Sequence, residues 1–145
     1  MKKVTVIFWS GTGNTNMMAE AIAQGVLSTE ASLSLLSVEQ ASRDDILQAD
    51  AVAFGCPAMG DEVLEESEME PFIDSLADGS LKGKPVVLFG SYDWGDGKWM
   101  RDWEERMNKH GAKLVSPGLI IQNTPEQNGL AQCQKLGKKL TESIA

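Results

Sequence analysis

The stretch that decides the fold lies near the start of the chain and reads Val4-Thr5-Val6-Ile7-Phe8-Trp9-Ser10-Gly11-Thr12-Gly13-Asn14-Thr15. It opens with an apolar run, broken only by Thr5, of the kind that predicts a buried strand. Small and polar residues follow, and apolar residues then recur at helical spacing, namely Met17, Met18, Ala21, Ile22 and Val26. The segment therefore predicts a strand, a tight turn and a helix.

The same alternation continues to the end of the chain. Apolar runs predict further strands at Leu33–Val38, Ala51–Gly55, Pro85–Gly90 and, less regularly, Leu114–Ile121. Helices are predicted at Ser42–Leu47, at Glu68–Ala77, from about Gly97 to His110, and after Thr124, which would cap a last helix with Pro125 at its first position. This pattern indicates one α/β domain over residues 1–145, a doubly wound five-stranded parallel sheet with helices on both faces.

Charge, hydropathy and cysteine spacing exclude several classes of binding partner and site. The 145 residues include 13 bases and 21 acids, a net charge of −8, which argues against nucleic acid and anionic membranes and favours a basic protein partner. The apolar run after Lys2-Lys3 is too short for a signal peptide, and no run approaches a membrane span. Cys56 and Cys133 stand far apart in the sequence, so neither a metal site nor a disulfide framework is expected. We expect a cytoplasmic protein.

Ligands of doubly wound sheets bind outside the carboxyl ends of the strands. The loop Ser10–Thr15 is suited to a phosphate held by neutral groups, because Gly11 and Gly13 let backbone N–H groups turn inward while the side chains offer hydroxyls and an amide. It lacks the Lys of a nucleoside triphosphate loop, and Asn16 stands where a dinucleotide fingerprint needs glycine. The phosphate would be an anchor and not a reactant. A Gly-rich turn that only caps a helix is the alternative.

Two later strand ends carry an apolar side chain, a glycine and carboxylates. Met59 lies in the loop 56–67 and Trp94 in the loop 91–96, and together they can form two walls of a slot for a planar ring. Both side chains also fit the alternative of ordinary half-exposed loop residues. Further along, Met100, Trp103 and Met107 lie at helical spacing and are expected in the core, with Trp99 near the rim of the slot.

The motifs in combination resemble a known family. Phe8–Thr15, Ala58-Met59-Gly60-Asp61-Glu62, Ser91-Tyr92-Asp93-Trp94-Gly95-Asp96-Gly97 and Gln122-Asn123 are similar, in order and spacing, to short-chain flavodoxins of clostridium-type anaerobic bacteria. The resemblance implies a flavodoxin-like fold with strand order 2-1-3-4-5 and bound FMN. It further implies a monomeric, low-potential one-electron carrier, not an enzyme, that shuttles FMN between semiquinone and hydroquinone for redox partner enzymes.

The resemblance also implies residue roles. Ser10–Thr15 would hold the FMN phosphate, and Met59 and Trp94 would cover the two faces of the isoalloxazine ring. Glu62 would accept from flavin N3–H, backbone N–H groups around Asp93 to Gly95 would reach O2 and N1, and the Gly60 peptide would turn over on reduction so that its carbonyl accepts from N5–H. The implied cofactor-binding set is Trp9, Ser10, Gly11, Thr12, Gly13, Asn14, Thr15, Ala58, Met59, Gly60, Asp61, Glu62, Ser91, Tyr92, Asp93, Trp94, Gly95 and Asn123, with no metal ligands. Asp93 departs from the family, which usually has glycine there.

Negative charge is concentrated near the implied flavin. Residues 61–70 hold six acids and no base, and residues 91–105 hold five acids against two bases. A carboxylate ~8 Å from the ring at an effective dielectric of ~40 opposes added negative charge by about 1 kcal/mol, roughly 40–45 mV for one electron. These acids predict a strong reductant that docks basic-surfaced redox proteins transiently. Glu65–Glu70 equally fit a solvated helix start favoured by the macrodipole.

Two other protein classes share parts of this pattern. A flavodoxin-like quinone reductase would need substrate space over the ring and longer insertions, and Trp94 is expected to block the outer face. A receiver or other phosphate-binding module would need an acidic cluster at the end of the first strand, where Trp9-Ser10 stand.

Overall fold

A parallel sheet forms the centre of the molecule. The computed structural model describes residues 2–144, and within them six strands are ordered β2-β1-β3-β4-β5, with β6 also paired to β4. Every pairing is parallel. The strands are β1 Lys3–Phe8, β2 Ser32–Ser37, β3 Ala51–Gly55, β4 Pro85–Tyr92, β5 Lys113–Leu114 and β6 Leu119–Gln122. The predicted doubly wound sheet with order 2-1-3-4-5 is confirmed.

The prediction of one continuous strand over Leu114–Ile121 is wrong. Two short strands occupy that edge: β5 pairs with the start of β4, and β6 pairs with its end from Phe89 to Tyr92. Pro117 lies between them and has no N–H for the ladder. The next N–H, that of Gly118, is bound instead by the Glu104 carboxylate at 2.8 Å. The chain therefore leaves the sheet edge and returns to it beside the carboxyl end of β4.

In the described part of the chain, five helices cover the sheet. They are α1 Asn14–Leu27, α2 Arg43–Gln48, α3 Met69–Ser75, extended by a 3₁₀ turn at Leu76–Asp78, α4 Lys98–Lys109 and α5 Gln127–Glu142. The predicted start of the last helix is wrong, because Glu126, which is extended and forms no side-chain capping hydrogen bond, occupies the N-cap position of α5 in place of Thr124. The preceding Asn123 is still held at the sheet, where its N–H donates to the Tyr92 carbonyl at 2.7 Å, so the helix cannot begin until the chain has turned away.

Alternation along the strands divides the core into two layers. Val4 and Val6 of β1 face α1 and α5, whereas Ile7 belongs to the layer beneath α2, α3 and α4. The predicted core residues of α4 are confirmed, since Trp103 is 1% exposed and Met100 and Met107 are buried with it. No helix within residues 2–144 is long and apolar enough to span a membrane.

Candidate functional site

Three strand-end loops meet at the carboxyl edge of the sheet and enclose a cavity. Its volume is about 160 Å³, and residues from all three loops line it: Trp9, Gly11, Thr12, Asn14, Pro57, Ala58, Met59, Ser91, Tyr92 and Asp93. A second cavity of about 470 Å³ shares Trp9 and Met59 and continues along Gly60, Asp61, Val63, Glu65 and Glu66. Most of the residues expected at one site are thus neighbours, although they come from distant parts of the chain.

Trp94 does not line either of these cavities. Its side chain is 61% exposed, which is high for tryptophan, and it lies in the loop between β4 and α4. Six other predicted site residues also lie outside the linings of both cavities: Ser10, Gly13, Thr15, Glu62, Gly95 and Asn123. The structure therefore gathers half of the phosphate loop and one expected ring wall around the cavities, and leaves the expected outer wall open to solvent.

The phosphate loop, residues 10–15, is organised by its own hydrogen bonds. Ser10 Oγ accepts from the backbone N–H groups of Gly13 at 3.1 Å and Asn16 at 3.2 Å, and Gly13 has a φ of 97° that L-residues rarely adopt. A hydroxyl accepts two hydrogen bonds and donates one. Both acceptor positions of Ser10 are therefore filled, and its proton is free for an acceptor such as an anionic oxygen.

A buried pair of hydroxyls joins this loop to β4. Thr15 Oγ1 and Ser91 Oγ are 3.0 Å apart, and the two residues are only 1% and 4% exposed. Between them the two hydroxyls carry two protons, of which their mutual hydrogen bond uses one. The other has no acceptor among residues 2–144. Together with Ser10, this unused donor fits a phosphate held without a basic side chain.

The loop that carries Met59 is a tight hairpin. Met59 and Val63 exchange two backbone hydrogen bonds of 2.9 Å, so Gly60-Asp61-Glu62 must reverse the chain within three residues. Gly60 has a φ of 49° and Glu62 a φ of 58°. The left-handed conformation costs a non-glycine residue about 1–2 kcal/mol, and such strain clusters at functional sites. Asn123, at the neighbouring strand end, has a φ of 60°.

The Glu62 side chain connects this hairpin to α4. Its Oε1 accepts from the backbone N–H groups of Gly97 at 3.2 Å and Lys98 at 3.1 Å, while Oε2 has no hydrogen-bond partner among the described residues. The carboxylate also lies against Gly95, where a Cβ would collide with it. Glu62 therefore caps the start of a helix with one oxygen and keeps the other available.

The end of β4 holds the remaining loops in place. The Ser91 carbonyl accepts from Ala58 N–H at 3.0 Å, and Tyr92 binds Asn123 through its own carbonyl. Gln122 donates its side-chain amide to the Asp93 carbonyl at 3.1 Å. The backbone of this strand end is thus the common attachment of the loops around the cavity.

Two residues near the site have roles that the sequence analysis did not foresee. Glu65 is 7% exposed, and its carboxylate accepts from the N–H groups of Ser67, Glu68 and Met69 at 2.7–2.9 Å. Burial acts to raise the pKa of Glu65, but these hydrogen bonds outweigh it and hold the pKa below its ordinary value. Glu65 is therefore a buried brace between the hairpin and α3, not part of a solvated face.

Trp99 is the second residue whose role the sequence analysis did not foresee. It is 1% exposed and does not lie at the rim; its Nε1–H donates to the Cys56 carbonyl at 3.1 Å, beneath the loop that carries Met59. Its spacing from Trp103 on the apolar face of α4 is the signal that places it in the core. Pro57, which follows Cys56 and lines the smaller cavity, was not among the predicted site residues.

Several acids around the site are neutralised by neighbouring bases. Glu70 forms a two-pronged pair with Arg106 at 2.7 Å, and Lys98 pairs with Asp102 at 2.8 Å. The hydrogen bond from Arg101 lowers the pKa of Asp96. By contrast, Asp61, Glu62, Glu66 and Asp93 form no ion pair within residues 2–144. The unpaired charge is therefore concentrated in the hairpin and its flank and at Asp93.

Metal and thiol chemistry have little support at this edge. Among the described residues no group of His, Cys, Asp and Glu is arranged to hold a metal ion. Cys56 and Cys133 are free and buried, and burial raises the pKa of each thiol to about 12. Both thiols therefore remain protonated and are poor nucleophiles at neutral pH.

Comparisons with known proteins agree with this geometry. The sequence model of the family described as Flavodoxin matches residues 6–137. A flavodoxin from Clostridium beijerinckii is 50% identical over 135 residues, covering 93% of this chain and 96% of the relative. A flavodoxin from Megasphaera elsdenii is 41% identical over 138 residues, covering 93% and 96%. The solution structure of the two-electron reduced M. elsdenii flavodoxin superposes with a TM-score of 0.87 and covers 97% of this chain and 99% of that one.

Proposed function

The chain belongs to the flavodoxin family of small FMN-binding electron-transfer proteins, and from this premise we propose where the cofactor lies and how its environment tunes electron transfer. The protein is an electron carrier for redox partners and not an enzyme. FMN, when bound, supplies the redox chemistry, because its isoalloxazine ring takes up and releases electrons one at a time. The protein's own residues determine where the ring sits and which charges surround it.

The phosphate is anchored by the phosphate loop. Ser10 offers a free hydroxyl proton, and the hydroxyl pair of Thr15 and Ser91 offers another. The side chains of Thr12 and Asn14 and the N–H of Thr15 complete the donors, with the positive end of the helix dipole directed at the same place. The N–H groups of Asn14 and Asn16 are already bound by the side chains of Thr12 and Ser10. All these donors are neutral, so the phosphate keeps its charge after it has been bound.

Met59 and Trp94 would hold the two faces of the flavin ring, with Trp9 and Tyr92 beside it. The 61% exposure of Trp94 supports this placement, since a planar ligand would bury an indole ring that otherwise contacts solvent. Glu62 holds the ring edge, because its Oε2 is available for flavin N3–H while Oε1 stays fixed on α4. Backbone N–H groups of Asp93, Trp94 and Gly95 serve O2 and N1. Ala58, Asp61, Ser91 and Asn123 complete the rim.

Gly60 is the residue that would respond to reduction of bound FMN. If the peptide between Gly60 and Asp61 turned toward the ring, the Gly60 carbonyl would accept a hydrogen bond from a protonated flavin N5. The two hydrogen bonds between Met59 and Val63 keep the base of the hairpin fixed during this turn. Among residues 2–144 nothing lies within 4 Å of the place where a Gly60 Cβ would stand, so glycine is needed for its φ of 49° and not for space.

The unpaired acids make the carrier a low-potential donor. Each of Asp61, Glu62, Glu66 and Asp93 opposes an added negative charge on the ring, by about 1 kcal/mol for a separation of ~8 Å and an effective dielectric of ~40. The phosphate adds its own charge, since its anchor is neutral. With FMN bound, these residues would lower the potential of the second one-electron couple relative to the first, and we propose that second couple as the working one.

The same acids select the partner. We expect monomeric carrier molecules to dock redox proteins with basic surfaces, weakly and transiently, in a reducing compartment such as the cytoplasm, which suits two free thiols. Electron transfer to a basic cytochrome c should slow as ionic strength rises, because salt screens the attraction. A rate that is constant or rises with salt contradicts this part of the proposal.

One observation carries the placement of the cofactor: three hydroxyls that keep two unused protons among them lie next to a hairpin and a strand end that hold non-glycine residues at positive φ. Titration of the apoprotein with FMN and with riboflavin tests it. FMN should bind one per chain and more tightly than riboflavin, and Trp94→Ala should weaken both flavins alike. Equal affinity for the two flavins, or full affinity in Trp94→Ala, contradicts the placement.

A further inference from the structure

Thr15 and Ser91 are 76 positions apart in the sequence, yet their side-chain hydroxyls form a hydrogen bond with each other in the folded protein. The oxygen atoms lie 3.0 Å apart, and the backbone N–H of Ser91 also points to Thr15 Oγ1 at 3.4 Å. Both residues are almost fully buried, at 1% and 4% exposure, so water cannot easily replace either bond. The pair is therefore part of the fold's internal hydrogen bonding and not a chance surface contact.

Counting protons leaves two arrangements for the pair, because either hydroxyl can be the donor. If Ser91 donates its hydroxyl proton as well as its N–H to Thr15 Oγ1, then both acceptor positions of Thr15 are filled and every proton of Ser91 is used. The single unused proton then belongs to Thr15, in the first turn of α1. The opposite direction leaves the unused proton on Ser91, on the strand.

We infer that Ser91 is a positioning residue that fills the acceptor positions of Thr15 and so directs the Thr15 hydroxyl proton to the phosphate of FMN. The inference rests on the proposed function, because it takes the phosphate to lie on Ser10–Thr15. It adds that one phosphate donor is oriented from another strand. Ser91 serves binding of the phosphate through Thr15, and it does not itself touch the cofactor through its hydroxyl.

The position of Ser91 explains why this task falls to it. It lies in β4 opposite Ile121 of β6, and its carbonyl accepts from Ala58 N–H at 3.0 Å, next to Met59. One rigid residue therefore fixes both a donor of the phosphate loop and the base of the loop beneath the ring. This arrangement sets the distance between the phosphate anchor and the ring slot.

Affinities for FMN and riboflavin, measured by flavin fluorescence quenching, test the inference in wild type, Ser91→Ala, Thr15→Val and the double variant. Riboflavin lacks the phosphate, so its affinity should stay within about 2-fold in every variant. Thr15→Val should lose about 10- to 100-fold in FMN affinity, and Ser91→Ala about 3- to 10-fold. The double variant should bind FMN no more weakly than Thr15→Val, because Ser91 acts only through Thr15.

Three results overturn the inference. If the losses for FMN multiply in the double variant, Ser91 contacts the phosphate directly. If Ser91→Ala weakens riboflavin as much as FMN, the serine acts on the ring loops and not on the phosphate. If Ser91→Ala leaves the affinity for FMN unchanged, its hydroxyl orients nothing. A wild-type protein that binds the two flavins equally fails the proposed function itself, so the two failures are distinguishable.

Matched variants separate positioning from general damage to the fold. Thr15→Ser keeps the hydroxyl and should keep the preference for FMN over riboflavin. Thr141→Val removes another buried hydroxyl, one that donates to Gly137 in α5, and should leave both affinities unchanged. If Ser91→Ala does not fold, Ser91→Cys replaces it, and its weaker donor should still reduce FMN affinity selectively; wild-type affinity in that variant contradicts the inference.

Discussion

The phosphate loop and the ring loops, residues 58–63 and 92–97, lie side by side at one edge of the sheet but are built in opposite ways. The phosphate loop contains no charged side chain, and its serine already accepts hydrogen bonds from Gly13 and Asn16. The ring loops carry four acids, an exposed tryptophan and a glutamate in the left-handed conformation. From this difference we expect the phosphate loop to supply affinity for FMN and the ring loops to tune its potential, so changes in each region should have separable effects.

The largest effect is expected from Ser10→Ala. This change removes the acceptor of two backbone N–H groups and one donor to the phosphate, which should weaken FMN binding by about 2–3 kcal/mol, or about 100-fold. Isothermal titration with FMN measures it, and the potentials of the flavin that still binds should shift little. Ser28→Ala, at the other end of α1, is the control. Unchanged FMN affinity in Ser10→Ala, or a large shift in the flavin potentials, contradicts the separate roles of the phosphate loop and the ring loops.

Gly60→Ala should show the reverse pattern. We expect the turned peptide to require a left-handed conformation at position 60, which costs an L-residue about 1–2 kcal/mol, so the peptide that receives N5–H becomes harder to form. The potential of the first couple should fall by roughly 40–90 mV, converting at about 59 mV per 1.4 kcal/mol for one electron. FMN affinity in the oxidised state should change less than 3-fold. Spectroelectrochemistry that finds an unchanged first couple contradicts the role of Gly60.

Glu65→Gln tests the brace beneath the ring loops. Its carboxylate holds three N–H groups at the start of α3, and losing the charge should cost about 1 kcal/mol of unfolding free energy at pH 7. Because the folded pKa of Glu65 lies below its ordinary value, this stabilisation is complete above the unfolded pKa and disappears as pH falls through the folded one. Urea unfolding from pH 7 to pH 3 should show the two proteins converging. A constant difference over that range excludes the charge as its source.

The smallest effect is expected from Asp93→Asn. Removing one unpaired carboxylate beside the ring should raise the potential of the second couple by about 40 mV at low salt, and by less at high salt. Glu30→Gln is the control, since Glu30 lies with Lys2 at the opposite edge of the sheet and should have little influence. Equal shifts in the two variants would show that the potential depends on net charge and not on the position of the acid. That result contradicts the proposed role of the ring loops in tuning the potential.

The sequence was enough to predict features that depend on local pattern. The apolar run before Trp9 and the helical spacing after it predicted the first strand, turn and helix, because those elements are determined by neighbouring residues. The left-handed conformation at Gly13 follows in the same way from the need to turn N–H groups inward. The strand order came from the resemblance and not from the pattern, since periodicity does not say which strands pair.

Features that depend on distant residues could not be predicted. The sequence around Thr15 contains no pattern that indicates a hydrogen bond with Ser91. The burial of Glu65 depends on how the hairpin folds back on α3. Pro117 was noticed, but the return of the chain to β4 required the Glu104 carboxylate on another element. Trp99 is different, because its spacing from Trp103 already indicated the core.

The most direct test of the separate roles of the phosphate loop and the ring loops is a reductive titration of the FMN-loaded protein. The titration is monitored by absorption and repeated at two salt concentrations. We predict two separate one-electron steps, with the second at a lower potential than in free FMN and moving upward as salt screens the acids. Two steps that match those of free FMN, or a second step that does not respond to salt, contradict the account.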